Sequence, residues 1–120
     1  MMEEKKLGRI IVAPEVLVTI AHLTTLSTPG VAHMGGKWMG EVTHLLGHKS
    51  GGDGVEITVE DQRVTADLYI VARDDVNLLD MSRQLQANVK RAIEEIVGLR
   101  VWAVNVYIQD VEISAEKGEQ

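Results

Sequence analysis

The stretch "GVEITVEDQRVTADLYIVA", residues 54–72, decides the fold. Val55, Ile57 and Val59 alternate with Glu56, Thr58 and Glu60, the period-two pattern of a strand with one face buried and one wet. The pattern resumes at once: Val64, Ala66, Leu68 and Ile70 share one face, and Thr65, Asp67 and Tyr69 share the other. Only Asp61 and Gln62 separate the two runs, so they form a hairpin closed by a two-residue turn. Such turns favour glycine at the second position, and glutamine there leaves the register less defined than the pairing.

Working outward on the C-terminal side, "NLLDMSRQLQANVKRAIEEIVG" (77–98) predicts a long amphipathic helix. Leu78, Met81, Leu85, Val89, Ala92 and Ile96 step along it by three and four, one apolar stripe. Asn77 is placed to cap its start, Asp80 lies against the positive end of the helix dipole, and Gly98 stands where a C′ glycine belongs. "LRVWAVNVYIQDVEI" (99–113) follows as a strand. Trp102, Val104, Val106 and Ile108 are expected on one face and Val101, Ala103, Asn105 and Tyr107 on the other. Val111 and Ile113 break that phase, which predicts a bulge near Gln109 and Asp110. The outward face is unusually apolar for a strand in water, so something covers it or it forms an interface.

On the N-terminal side, "GRIIVA" (8–13) reads as a short strand. "PEVLVTIAHLTTLST" reads as a helix from Pro14, with Val16, Ile20 and Leu23 on one face and Leu17, Ala21 and Thr24 beside them; "STPG" (27–30) ends it. The sequence therefore predicts an α+β two-layer sandwich of β-α-β-β-α-β order, either ferredoxin-like or a variant with three main strands. A single domain spans residues 8–113, between flexible tails at 1–7 and 114–120.

Composition narrows the function classes. The chain has 120 residues, 45% hydrophobic and 25% charged, with no cysteine and a net charge of −6. Thiolate metal sites, disulfides and thiol nucleophiles are excluded. The acidic balance argues against nucleic acid, whose binding depends on Lys and Arg neutralising phosphates. It equally disfavours direct contact with anionic lipid. "MMEEKKLGRI" lacks the apolar core of a signal peptide, and no apolar run reaches the ~18 residues of a membrane helix. The expected location is the cytoplasm, with no direct membrane insertion.

The segment 35–54, "GGKWMGEVTHLLGHKSGGDG", carries the residues that invite a chemical reading. His44 and His48 are four apart, and His33 and Glu41 lie near enough in sequence to complete a metal set. No Glu follows the first histidine of "HLLGH", however, and Gly47 weakens any helix between the two, so no metal site is predicted. "GGK" at 35–37 lacks the first glycine and the Ser/Thr of a phosphate-binding loop. "GGDG" at 51–54 matches the GxxG clamp of nucleic-acid domains, but its Asp would repel phosphate, and it reads as a loop leading into a strand. Neither the serines nor the pairs Asp74–Asp75 and Glu94–Glu95 form a catalytic arrangement. No catalytic residue, metal or cofactor is predicted.

"IVAPEV", "PGVAHMGG" and the long C-terminal run ending "VNVYIQDVEI", in this order over residues 8 to 113, resemble the bacterial alkaline shock protein family, also called envelope stress response proteins. The resemblance implies a non-enzymatic protein of the envelope stress response that works as a scaffold through self-association and protein contacts. It also implies partners of two kinds: a membrane-anchor protein holding it at the inner membrane face, or a metabolic enzyme, in fatty-acid synthesis, that it would regulate. By the same resemblance, the glycine-flanked insert holds a short amphipathic helix from about Met39 to Leu46. Trp38, Val42, Leu45 and Leu46 on the insert, with Val101, Ala103 and Tyr107 on the last strand, are the expected interaction residues.

Overall fold

A computed structural model of the chain describes residues 2–5, 7–36 and 48–114. Strand β1 (Met2–Lys5) and strand β2 (Gly8–Ile11) are followed by helix α1 (Pro14–Leu26), strand β3 (Val31–Met34) and strand β4 (His48–Gly52). Strand β5 (Val55–Glu60), strand β6 (Arg63–Arg73), helix α2 (Leu78–Val97) and strand β7 (Arg100–Glu112) complete the order. The expected helical insert lies outside the described residues.

The α+β two-layer architecture is present, built around the hairpin of β5 and β6. Its register runs Val55↔Leu68 to Glu60↔Arg63. Asp61 and Gln62 both adopt positive φ, 51° and 63°, the twist that matches a two-residue turn to the strands it joins. This is the turn glycine would have favoured, taken here by two side-chain-bearing residues.

β6 is the axis of the sheet. One of its edges is shared end to end by β5, along Arg63–Leu68, and β3, along Ile70–Ala72; both run antiparallel to it. The handover falls at Tyr69, whose N–H donates to the Gly54 carbonyl (2.8 Å) and whose carbonyl accepts from the Gly35 N–H (2.7 Å). Gly54 has φ +82°, and a Cβ there would lie 2.8 Å from the Gly35 oxygen and 2.9 Å from that of Tyr69. A glycine is thus what lets two strands meet on one edge. β7 runs parallel along the other edge of β6, from Arg63↔Arg100 to Arg73↔Glu112.

The ferredoxin-like form is corrected in one respect. In that topology the first strand would separate β6 from β7. Here β2 leaves the sheet and pairs with β1, Met2↔Ile11 to Lys5↔Gly8, while β7 pairs directly with β6. All four residues of β2 are exposed, so no buried face anchors it in the sheet. The three long strands β5, β6 and β7 are those expected. The short β3 and β4 are additions, and Gly51 and Gly52, expected in a loop, belong to β4 opposite Glu56 and Val55.

Both helices pack on one face of the sheet. The core joins Val55, Ile57, Val64, Ala66, Leu68, Ile70, Ala72, Val101 and Val104 of the sheet to Leu17 and Ala21 of α1 and to Met81, Leu85, Val89 and Ile93 of α2. On α1 the buried row is Leu17, Ala21 and Thr25, whereas Val16 and Leu23, expected inside, are exposed. Thr25 tolerates burial because its hydroxyl donates to the Ala21 carbonyl at 2.7 Å. On α2, Ile93 replaces the expected Ile96, which is 68% exposed. The caps are as expected: the Asn77 side chain accepts from the Asp80 N–H at 3.0 Å, and Gly98 closes the helix with φ 88°.

Candidate interaction surface

With both described helices on one side, the other face of the sheet carries the features that lie outside the core. Its β6–β7 half is built from residues brought opposite one another by the parallel register. Asp67 stands beside Asn105, whose side-chain amide donates to its carboxylate at 2.9 Å. Tyr69 stands beside Tyr107, the rings stacked at 4.8 Å and 14°. At the start of the strand pair the Arg63 guanidinium lies over the Trp102 ring, 4.5 Å from its centroid, a cation–π contact. At the far end His33 and Glu112 approach to 3.9 Å, and the Gln109 side chain donates to the Gly36 carbonyl at 2.9 Å.

Two bulges in β7 set which side chains reach this face. The register passes from Val64↔Val101 to Thr65↔Ala103, so Trp102 is an extra residue; it passes from Ile70↔Ile108 to Val71↔Asp110, so Gln109 is another. The second bulge was expected, and the first was not. The first corrects the reading of Val101, which turns inward and is only 4% exposed, and of Trp102, which turns outward at 64%. Ala103 and Tyr107 lie on the face opposite the two described helices, each half-buried. Trp38, Val42, Leu45 and Leu46 fall outside the described residues, as do Glu41 and His44. Among the described residues, no three His, Asp or Glu side chains are grouped closely enough to hold a metal ion.

Residues that sequence reasoning missed include Arg63, Trp102 and Tyr69. For Trp102 the signal was the spacing of three from Val101 to Val104: two inward residues three apart imply one extra residue between them.

The outer edge of β7 faces no strand among the described residues, and side chains of α2 attend to its first half. Glu94 accepts from the Val101 N–H at 2.9 Å, Lys90 reaches the Val101 carbonyl at 3.5 Å, and Gln86 donates to the Val104 carbonyl at 2.9 Å. These three residues are spaced by four, one row down the helix. The backbone N–H of Val101, with help from Lys90 at 3.0 Å, holds the Glu94 carboxyl below the usual glutamate range.

The two-layer α+β domain, with both described helices on one face of the sheet and a row of aromatic residues on the other, defines the class. The chain belongs to the alkaline shock protein family, of cell envelope-related function, whose model matches residues 2–113. It is similar to the uncharacterized protein YqhY of Bacillus subtilis, 26% identical over 98% of this chain and 87% of the relative. It is also similar to the uncharacterized protein Spy1535 of Streptococcus pyogenes, 30% identical over 92% of this chain and 84% of that protein. A second Bacillus subtilis protein, the uncharacterized YloU, is 25% identical over 91% of this chain and 92% of its own. No solved structure matches the chain. Among the described residues, no helix is long and apolar enough to cross a membrane.

Proposed function

We propose that this protein is a non-enzymatic scaffold of the cell-envelope stress response, acting through self-association and protein–protein contacts. The observation that supports this most is the aromatic content of the sheet face opposite the two described helices. Open sheet faces in water are typically polar, alternating with a buried apolar side. Here that face displays Trp102, 64% exposed, in line with the half-buried Tyr107. Aromatic side chains of this kind supply large contact area at low entropic cost. Family membership supplies the envelope setting, and in this reading a partner protein in the cytoplasm holds the chain at the inner membrane face.

Sedimentation velocity over a broad concentration range tests this reading, with wild type run beside Trp102→Glu and each variant checked for fold by circular dichroism. Mass that climbs with concentration and falls back in the folded variant supports the scaffold. A sharp monomer at every concentration refutes it.

A further inference from the structure

We infer that the tip of the β1–β2 hairpin is a lipid-contact site: Leu7 enters an anionic bilayer surface, and its sequence neighbours Lys5, Lys6 and Arg9 supply the charge that draws it there. Contact of this kind needs no second copy of the chain. It goes beyond the scaffold reading, in which a partner holds the protein at the membrane. The register of the hairpin ends at Lys5↔Gly8, so Leu7 stands at its tip. Leu7 is fully exposed, and Ile10 and Ile11 behind it are 67% and 64% exposed. A two-stranded hairpin is marginally stable at best by itself in water, and packing on a sheet or helix is what ordinarily supports one. Neither face of this strand is packed. Ile10 and Ile11 are consecutive and point to opposite faces, yet both lie in water.

That arrangement favours a bilayer over a protein surface. A flat protein surface covers one face of a hairpin and leaves the other wet, whereas a lipid interface surrounds a tip on every side. The charge agrees. Three of the chain's 12 lysines and arginines fall at residues 5, 6 and 9, around Leu7, in a protein of net charge −6. The net charge disfavours anionic lipid for the chain as a whole, but exposed charges more than about 10 Å from the bilayer are largely screened. Glu3 and Glu4 stand opposite Ile10 and Arg9, farther from the tip than Lys5. Strand residues rise about 3.3 Å each, so Ile10 lies roughly 10 Å behind Leu7. Interfacial immersion of about 5–10 Å therefore takes in Leu7 and leaves the strand edges among the headgroups, where water satisfies their free backbone groups.

Vesicle co-sedimentation tests the site, with phosphatidylglycerol mixed into phosphatidylcholine set against phosphatidylcholine alone. One leucine and a few cations give weak, reversible binding, half-saturated at on the order of 1 mM lipid. Wild type should sediment with the anionic vesicles, less so as salt rises, and stay in solution with the neutral ones. Leu7→Ser should weaken binding about tenfold, and Lys5→Glu combined with Lys6→Glu at least as much. These positions lie outside the core, and circular dichroism checks that both variants fold. The absence of cysteine from the chain allows a second readout. An environment-sensitive fluorophore on Leu7→Cys should shift to the blue with anionic vesicles, and the same fluorophore on Thr58→Cys of β5 should not. Wild type that ignores anionic vesicles, binds both vesicle types alike, or binds undiminished in both variants overturns the lipid site. Wild type that ignores vesicles while Leu7→Ser loses self-association assigns the tip to a second copy of the chain instead. The scaffold reading stands or falls separately, on whether wild type self-associates without lipid.

Discussion

The stripe on α2 offers the sharpest test of how this sequence packs. Leu78, Met81, Leu85, Val89, Ala92 and Ile96 form a straight line along the helix, because the 18 positions from first to last make about five whole turns. The structure buries Met81, Leu85, Val89 and Ile93 instead, every step a four. Each step of four advances about 40° around the helix, so the buried row winds and leaves Ile96 68% exposed. A helix laid across a twisted sheet buries such an inclined ridge rather than an axial line. Ile93→Ala removes a fully buried side chain from the centre of the core and should cost about 3 kcal/mol, within the range for buried aliphatic truncation. Ile96→Ala should change stability by less than about 0.5 kcal/mol, since it loses little burial and gains helix propensity. With a urea dependence of about 1.5 kcal/mol per molar, the first shifts the unfolding midpoint down by about 2 M and the second by less than about 0.3 M. Circular dichroism at two protein concentrations, to separate folding from association, reads both. Equal shifts, or a larger one for Ile96→Ala, would refute the winding row and restore the straight stripe.

Three further outcomes follow from local geometry. Asn77→Ala removes the acceptor for the Asp80 N–H and should cost about 1 kcal/mol in the same urea assay. Gln62→Gly should stabilise by about 0.5–1 kcal/mol, because glutamine at φ 63° carries a steric cost that glycine does not, offset by glycine's greater unfolded freedom; an unchanged midpoint would count against the turn geometry. Glu94 has a folded pKa lowered chiefly by the Val101 N–H, so it contributes stability that is complete above the ordinary glutamate pKa and is lost as pH falls through the depressed folded value. Glu94→Gln should therefore flatten the acid side of the stability-versus-pH curve, and a curve that superimposes on wild type would show that the carboxylate does not hold that bond.

What was legible in the sequence is what repeats over many residues. β5, β6 and α2 each show their period several times, and Asn77 and Gly98 mark the helix ends with residue types whose side chain or backbone freedom does one physical job. β3 and β4 were not legible. "VAHM" and "HKSGG" are too short to display alternation; the first takes the stretch of the β6 edge beyond β5, and the second pairs with the outer edge of β5. The face of α1 was also hidden. Val16, Leu17, Val18, Ile20, Ala21 and Leu23 leave little polar contrast around the helix, so the choice of Leu17, Ala21 and Thr25 is made by the sheet it meets.

The surface shows the same limit more acutely, because in β7 the apolar residues lie on both faces. Alternation alone then assigns inside and outside only up to one inserted residue, and a bulge at Trp102 exchanges Val101 for Trp102 without altering composition. That exchange has a functional consequence. It sends the large aromatic ring outward beneath Arg63, and it turns the Val101 N–H and carbonyl toward Glu94 and Lys90, which close that part of the edge. Downstream, where no α2 side chain reaches, the same strand presents Val106 and Ile108 on either side of Tyr107. One extra residue early in the last strand therefore decides both which face carries the Trp102 ring and which backbone groups meet the side chains of α2, and neither can be read until the helix is set beside the strand.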